Sequence, residues 1–89
     1  MKSFRWNAWN VEHLGKHGIL PQEAEYVVEH AGGSWPEDVG EDRHRVLGTG
    51  PDGAYLHVVF IFSPPGVVYV IHARLMREAE RRRYRRRMR

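Results

Sequence analysis

The chain has 89 residues, 42% of them hydrophobic and 28% charged, which fits one globular domain over residues 1–89 with a single modest core and excludes a large multi-part enzyme. It has no cysteine, so disulfides, thiolate zinc sites and cysteine nucleophiles are excluded and a reducing, cytoplasmic setting is expected. The net charge of +3 hides a separation of sign: residues 74–89 carry nine Arg against Glu78 and Glu80, a net of +7, and residues 1–73 a net of −4, so a basic tail on an acidic body points to a polyanionic partner.

Phe4-Arg5-Trp6 reads as a short edge strand, followed by Asn7 as a helix N-cap whose side-chain oxygen can accept from the free amides of the first turn. A first helix is predicted from Ala8 to about His17, ended by Gly18 in the left-handed position. Pro21 opens a second helix, where its missing N–H costs nothing, and Ala24, Val27, Val28 and Ala31 recur at helical spacing before Gly32-Gly33 stops it. From Ser34 to Asp42 the chain carries Pro36, Gly40 and four acids, a loop composition, with Trp35 expected to tuck onto the body. Arg43 to Thr49 reads as a strand, Gly50-Pro51-Asp52-Gly53 as a turn, and Ala54 to Phe62 as a long strand rich in β-branched and aromatic residues. Its apolar run, Val58 to Phe62, is only five residues long, so neither secretion nor membrane spanning is expected. After the turn Ser63-Pro64-Pro65-Gly66, Val67 to Ala73 forms the last strand. Leu75 to about Arg87 then forms the helix of a basic segment, 75–89.

The predicted fold is α+β, a small antiparallel sheet with the order β-α-α-β-β-β-α. Strand parity puts Ala54, Leu56, Val58, Phe60 and Phe62 on an apolar face and leaves Tyr55 and His57 on a partly open one. In the last strand it groups Val67, Tyr69, Ile71 and Ala73 against Val68, Val70, His72 and Arg74. His72 and Arg74 therefore point the same way, while the register of Arg43 and Arg45 stays open.

Several pieces together resemble the BrnT family of toxins, small RNA-cleaving proteins with a RelE-like fold. They are Phe4-Arg5-Trp6, Lys16-His17-Gly18-Ile19, Glu23-Ala24 with Val27-Val28, Arg43 with Gly48, Leu56 to Phe60, Ile71-His72-Ala73-Arg74 with Met76, and Glu80 with Tyr84. The chain differs in having Asn7 where the family usually has Asp, His13 where it has Asn and His72 where it has Ser. The resemblance implies a translation-blocking endoribonuclease toxin. Its implied partners are a ribbon-helix-helix antitoxin, in a two-to-two assembly, and RNA or ribosomal phosphate.

Metal-free RNA cleavage needs a base for the 2′-hydroxyl, cations for the phosphate oxygens and an acid for the leaving 5′-oxygen. The candidates are Arg74 as a phosphate fork, Lys16 and His17 at the end of the first helix, His72 beside Arg74, and Glu80 with Tyr84 one turn apart on the tail helix. Lys16 enters on the resemblance alone. Plainer readings are a surface Arg74, helix-dipole complementation by Lys16 and His17, a half-buried His72, and Tyr84 packing on the sheet while Glu80 offsets its Arg neighbours. Arg43, Arg77, Arg81, Arg82 and Arg85 are candidate RNA-binding residues. The Arg81 to Arg87 run covers every side of its helix, which does not suit an amphipathic membrane binder. His13 and His17 at i, i+4 invite a zinc reading, but the Glu that a catalytic zinc helix requires is Leu14 here and no third ligand follows in sequence. No metal or other cofactor is expected. A non-catalytic RNA- or antitoxin-binding module of the same fold is the alternative.

Overall fold

The computed structural model describes residues 2–87. The elements are β1 (Ser3–Phe4), α1 (Ala8–Gly15), α2 (Pro21–Glu29), β2 (Glu37–Asp38), β3 (His44–Thr49), β4 (Tyr55–Phe62), β5 (Val67–Leu75) and α3 (Glu78–Arg87). They make an α+β fold with three helices and one five-stranded sheet in the order β1-β5-β4-β3-β2. Two features differ from the expected antiparallel sheet. β1 pairs in parallel with β5, making the sheet mixed; parallel neighbours need a long crossover, and here everything from α1 to β4 lies between them. The segment expected to be irregular contributes β2, antiparallel to β3 with Glu37 opposite Arg45 and Asp38 opposite His44.

The local signals account for most element starts. Asn7 and Asn10 form a reciprocal cap, each side chain accepting from the other's backbone N–H at 3.2 and 2.7 Å. The Asn10 amide also donates to the Arg5 carbonyl at 3.1 Å, so this fully buried polar side chain is satisfied and ties β1 to α1. α1 stops at Gly15, short of the expected His17. Lys16 to Gly18 tighten into a turn bonded back to Glu12, Leu14 and Gly15, completed by Gly18 at φ +72, a conformation that favours glycine. α2 begins at Pro21, with the Glu23 carboxylate accepting from the Leu20 N–H at 2.8 Å. It ends before Ala31, which is left half-buried beyond the helix. β5 runs on to Leu75, and Met76 still donates to the Tyr55 carbonyl. α3 therefore starts three residues later than expected. Met88 and Arg89, part of the expected basic segment, lie outside the described residues.

Pleating divides the sheet into two faces. Val46 and Gly48 of β3 align with Val58 and Leu56 of β4 on one face, and α2 covers it so closely that a Cβ on Gly48 would stand 3.2 Å from Val27 Cγ1. Leu14 of α1 and Ala24, Val27 and Val28 of α2 join Val46, Leu56, Val58 and Phe60 in the core. The parity expected for β5 fails. Its register jumps from Val59–His72 to Phe60–Val70, making Ile71 the extra residue of a bulge. A bulge offsets alternation by one, so Val68, Val70 and Ala73 are buried together and His72 leaves their face. Phe62, expected in the core, is 47% exposed at the end of β4.

The opposite face carries two cross-strand rows, Leu47–His57–Arg74 and Arg45–Val59–His72. α3 lies across it. Glu37 anchors the helix, accepting from Arg45 within the sheet and from Arg83 and Arg87 at 3.0 and 3.1 Å. Arg87 also lies over the buried Trp35 ring, 4.5 Å from its centroid. One carboxylate thus holds β2, β3 and α3 together.

Candidate functional site

The pairing of β4 with β5 sets His57 directly opposite Arg74. From there Arg74 reaches Glu80 of α3 with both terminal nitrogens, Nη1 at 2.8 Å and Nη2 at 2.9 Å. Nη1 donates further to the Leu75 carbonyl at 3.1 Å. A guanidinium has five N–H donors. The end-on edge is therefore closed by Glu80, whereas the side edge, Nε–H and the second Nη2–H, carries no hydrogen bond among the described residues. Glu80 also accepts from the Arg77 N–H at 2.8 Å, capping α3, and lies 3.9 Å from His57 Nε2.

Four imidazoles gather beside this pair. His72 lies 5.2 Å from His17, 5.8 Å from His13 and 5.9 Å from His57 between ring centroids, and His13 is 6.5 Å from His17. α1 packs along β5, and its i, i+4 spacing, carried into the turn that follows, delivers His13 and His17 to the strand residue His72. Lys16 is exposed on the same turn. Arg74, Glu80, His17 and His72 are therefore brought together.

Tyr84 is not part of this group. It stands edge-on to Tyr55 at 6.0 Å and lines a separate cavity of about 90 Å³ with Tyr26, His30, Trp35, Leu47 and Thr49. Arg43 lies exposed in the loop before β3, outside both cross-strand rows. Arg45, whose register the sequence left open, is on the site face but committed to Glu37. Arg77 and Arg85 are exposed, Arg81 lies over the Tyr55 ring at 4.8 Å and Arg82 pairs with Glu78 at 3.3 Å. All four are exposed. The sequence put His57 on a partly open face without making it a leading site residue, because its position opposite Arg74 depends on the offset between two strands. His13 entered as a departure from the BrnT-like pattern and as half of a zinc reading that lacked a third ligand. Glu37 carried no signal, because its three partners come from distant segments.

The charges set the protonation states. Hydrogen bonds from Arg74 hold the Glu80 carboxyl down to about 2, against a smaller opposing effect of burial. Burial, helped by the Arg74 charge, pushes His57 down to about 4. His72 is lowered too, first by burial and then by His17, Arg74 and His13. Arg74 is held protonated chiefly by its bonds to Glu80. At neutral pH the site has a neutral His57 and His72 against an Arg74 whose charge Glu80 balances.

Stability is expected to fall on acidification in two stretches. His57 takes a proton in the unfolded chain near 6.5 but only near 4 when folded, so its contribution is full above 6.5 and is lost as pH falls toward 4, on the order of 3 kcal/mol. Glu80 follows between 4.5 and about 2, where protonation removes the anion that Arg74 holds. Urea midpoints measured across this range should decline from pH 6.5 downward, and His57→Gln should flatten the upper stretch. A midpoint constant between pH 7 and 4 would contradict this assignment.

Among the described residues, no group of three or more His, Asp or Glu side chains is arranged to hold a metal ion, and no helix is long and apolar enough to cross a membrane. Comparison with known proteins finds no matching family model, no matching curated protein and no matching solved structure.

Proposed function

We propose that the protein is a metal-independent endoribonuclease of the RelE-like kind. It acts in the cytoplasm as the toxin of a type II toxin–antitoxin pair and blocks translation by cutting RNA. A ribbon-helix-helix antitoxin, bound two-to-two, restrains it. The observation that carries this reading is the meeting of His72 with His17 and His13 beside an Arg74 whose side edge carries no hydrogen bond among the described residues. Such a cluster supplies the three functions that phosphodiester cleavage needs. The BrnT-like pattern of residues supports the same reading.

His72, kept neutral at pH 7, can take the proton of a 2′-hydroxyl as its oxygen attacks the adjacent phosphorus. A neighbouring imidazole in its protonated form returns a proton to the 5′-oxygen as the P–O bond breaks. The side edge of Arg74 and the ammonium of Lys16 face the negative charge that grows on the non-bridging oxygens. Glu80 and His57 touch Arg74 rather than RNA and position it. The exposed Arg77, Arg81, Arg82 and Arg85 provide the non-specific attraction for the backbone. One observation favours the alternative of a non-catalytic RNA- or antitoxin-binding module: the end-on edge of Arg74 is closed by Glu80, as in a purely structural ion pair.

The test is incubation of the purified protein with an RNA and a DNA of the same sequence in excess EDTA. RNA alone should be cut, leaving 2′,3′-cyclic phosphate or its 3′-phosphate hydrolysis product and a 5′-hydroxyl. Cleavage that stops in EDTA and returns with divalent metal would contradict the mechanism. Binding without cleavage would favour the module.

A further inference from the structure

Trp9 is the one tryptophan that the fold leaves in water. Trp6 is half-buried, with its indole N–H donating to Glu25 at 2.6 Å, and Trp35 is buried, whereas Trp9 is 54% exposed on α1. An indole that contributed only packing would gain most from burial. Trp9 is nevertheless held in place. Its ring lies parallel to His13, with centroids 4.8 Å apart and planes 7° from each other, and 6.4 Å from Tyr69 at 23°. Tyr69 is fixed in turn by donating to Asn7 at 3.1 Å and by Arg5, whose guanidinium carbon lies 3.9 Å from the ring centroid. From His13 the ring contacts reach His72, the imidazole at the centre of the cluster, while Trp9 itself stays exposed.

We propose that Trp9 is a stacking platform for a nucleobase of single-stranded RNA whose phosphate sits at the His72, His17 and Arg74 cluster. The proposal rests on the RNA reading above and adds the form of the substrate. A base inside an A-form duplex has both faces covered and cannot lie on an indole, whereas an unpaired base can be splayed out onto it. Every base has a π face, so this contact tolerates sequence. A ring already fixed in place also loses little freedom on binding, which is how an exposed aromatic contributes affinity. The surface is committed to RNA rather than to a protein segment because the platform continues, ring by ring, into groups that can bind phosphate.

The experiment uses the full chain and three probes carrying 2′-O-methyl groups to block cleavage: a single strand, the same strand lacking its bases, and the corresponding duplex. The unmodified protein should bind the intact strand at least about tenfold more tightly than the baseless one, with the duplex weaker than the intact strand. Trp9→Leu should bind the intact strand about tenfold more weakly while holding the baseless strand as before, and Trp9→Phe should recover most of the loss. The melting temperature should stay within about 2 °C in each variant, since the side chain is exposed. Undiminished binding of the intact strand by Trp9→Leu would overturn the platform alone and leave the surface to a protein partner. If the unmodified protein binds neither the intact nor the baseless strand, the RNA reading fails and takes the platform with it.

Discussion

Arg74→Ala is expected to lower RNA cleavage by about a hundredfold or more, the usual consequence of losing a charged donor aimed at the transition state. The side edge of Arg74, which carries no hydrogen bond among the described residues, is the part proposed to meet a phosphate, and its end-on edge is what fixes the orientation, through Glu80 at 2.8 and 2.9 Å. Lysine cannot do both jobs with one compact ammonium, so Arg74→Lys should lose nearly as much as the alanine variant. Glu80→Gln keeps an acceptor for one of the two bonds and should retain more activity than either. Initial rates and melting temperatures measured together separate chemistry from folding. A soluble Arg74→Ala variant that cleaves at the original rate would show the Arg74–Glu80 pair to be purely structural.

The second large effect is expected at Glu37, far from the chemistry. Its carboxylate accepts from Arg45, Arg83 and Arg87, and these bonds together keep it below the usual carboxylate range despite burial. Glu37→Ala removes the acceptor and leaves three guanidinium groups close together. Hydrogen bonds to charged groups contribute about 1.5–3 kcal/mol each. With screening at the more exposed Arg83 and Arg87, a loss on the order of 3 kcal/mol is expected. Thermal unfolding should show a lower midpoint, and amide exchange should rise first in α3, which the Glu37 bonds fasten to the sheet. Glu37→Gln should fall between the two. An unchanged midpoint and unchanged protection of α3 would mean that the helix is held by Tyr84 and Glu80 alone.

What could be read from the sequence was local. Asn7, Pro21, Gly18 and the turns at Gly50–Gly53 and Ser63–Gly66 each specify the backbone within a few residues, and each appears where its chemistry required. Arg74 and His72 were also correctly placed on a common face, because they lie on the same side of the bulge. The features that escaped depend on partners distant in the chain. β2 is two residues long and exists because Arg45, Arg83 and Arg87 converge on Glu37, something no local composition could announce. The bulge at Ile71 changes alternation within one strand, so Val68 and Val70 moved to the core face while His72 did not. His57 was read as half-open, yet it is only 6% exposed, because α3 and His72 close over it. The imidazole cluster forms only when the end of α1 docks on β5. In sequence His13 and His17 lie more than fifty residues from His72.

The proposed function puts a phosphate of RNA at the His17, His72 and Arg74 cluster. A titration of the imidazole NMR signals with a non-cleavable single-stranded RNA reads that binding at the residues themselves. The chain has six histidines, and His30, stacked on Tyr26, and His44, against Phe60 and Phe62, serve as internal controls on other parts of the surface. Saturable shifts are expected at His13, His17 and His72, with His30 and His44 unmoved and the shifts lost in Arg74→Ala. Shifts confined to His30 or His44, or no shift at the cluster at saturating RNA, would contradict it.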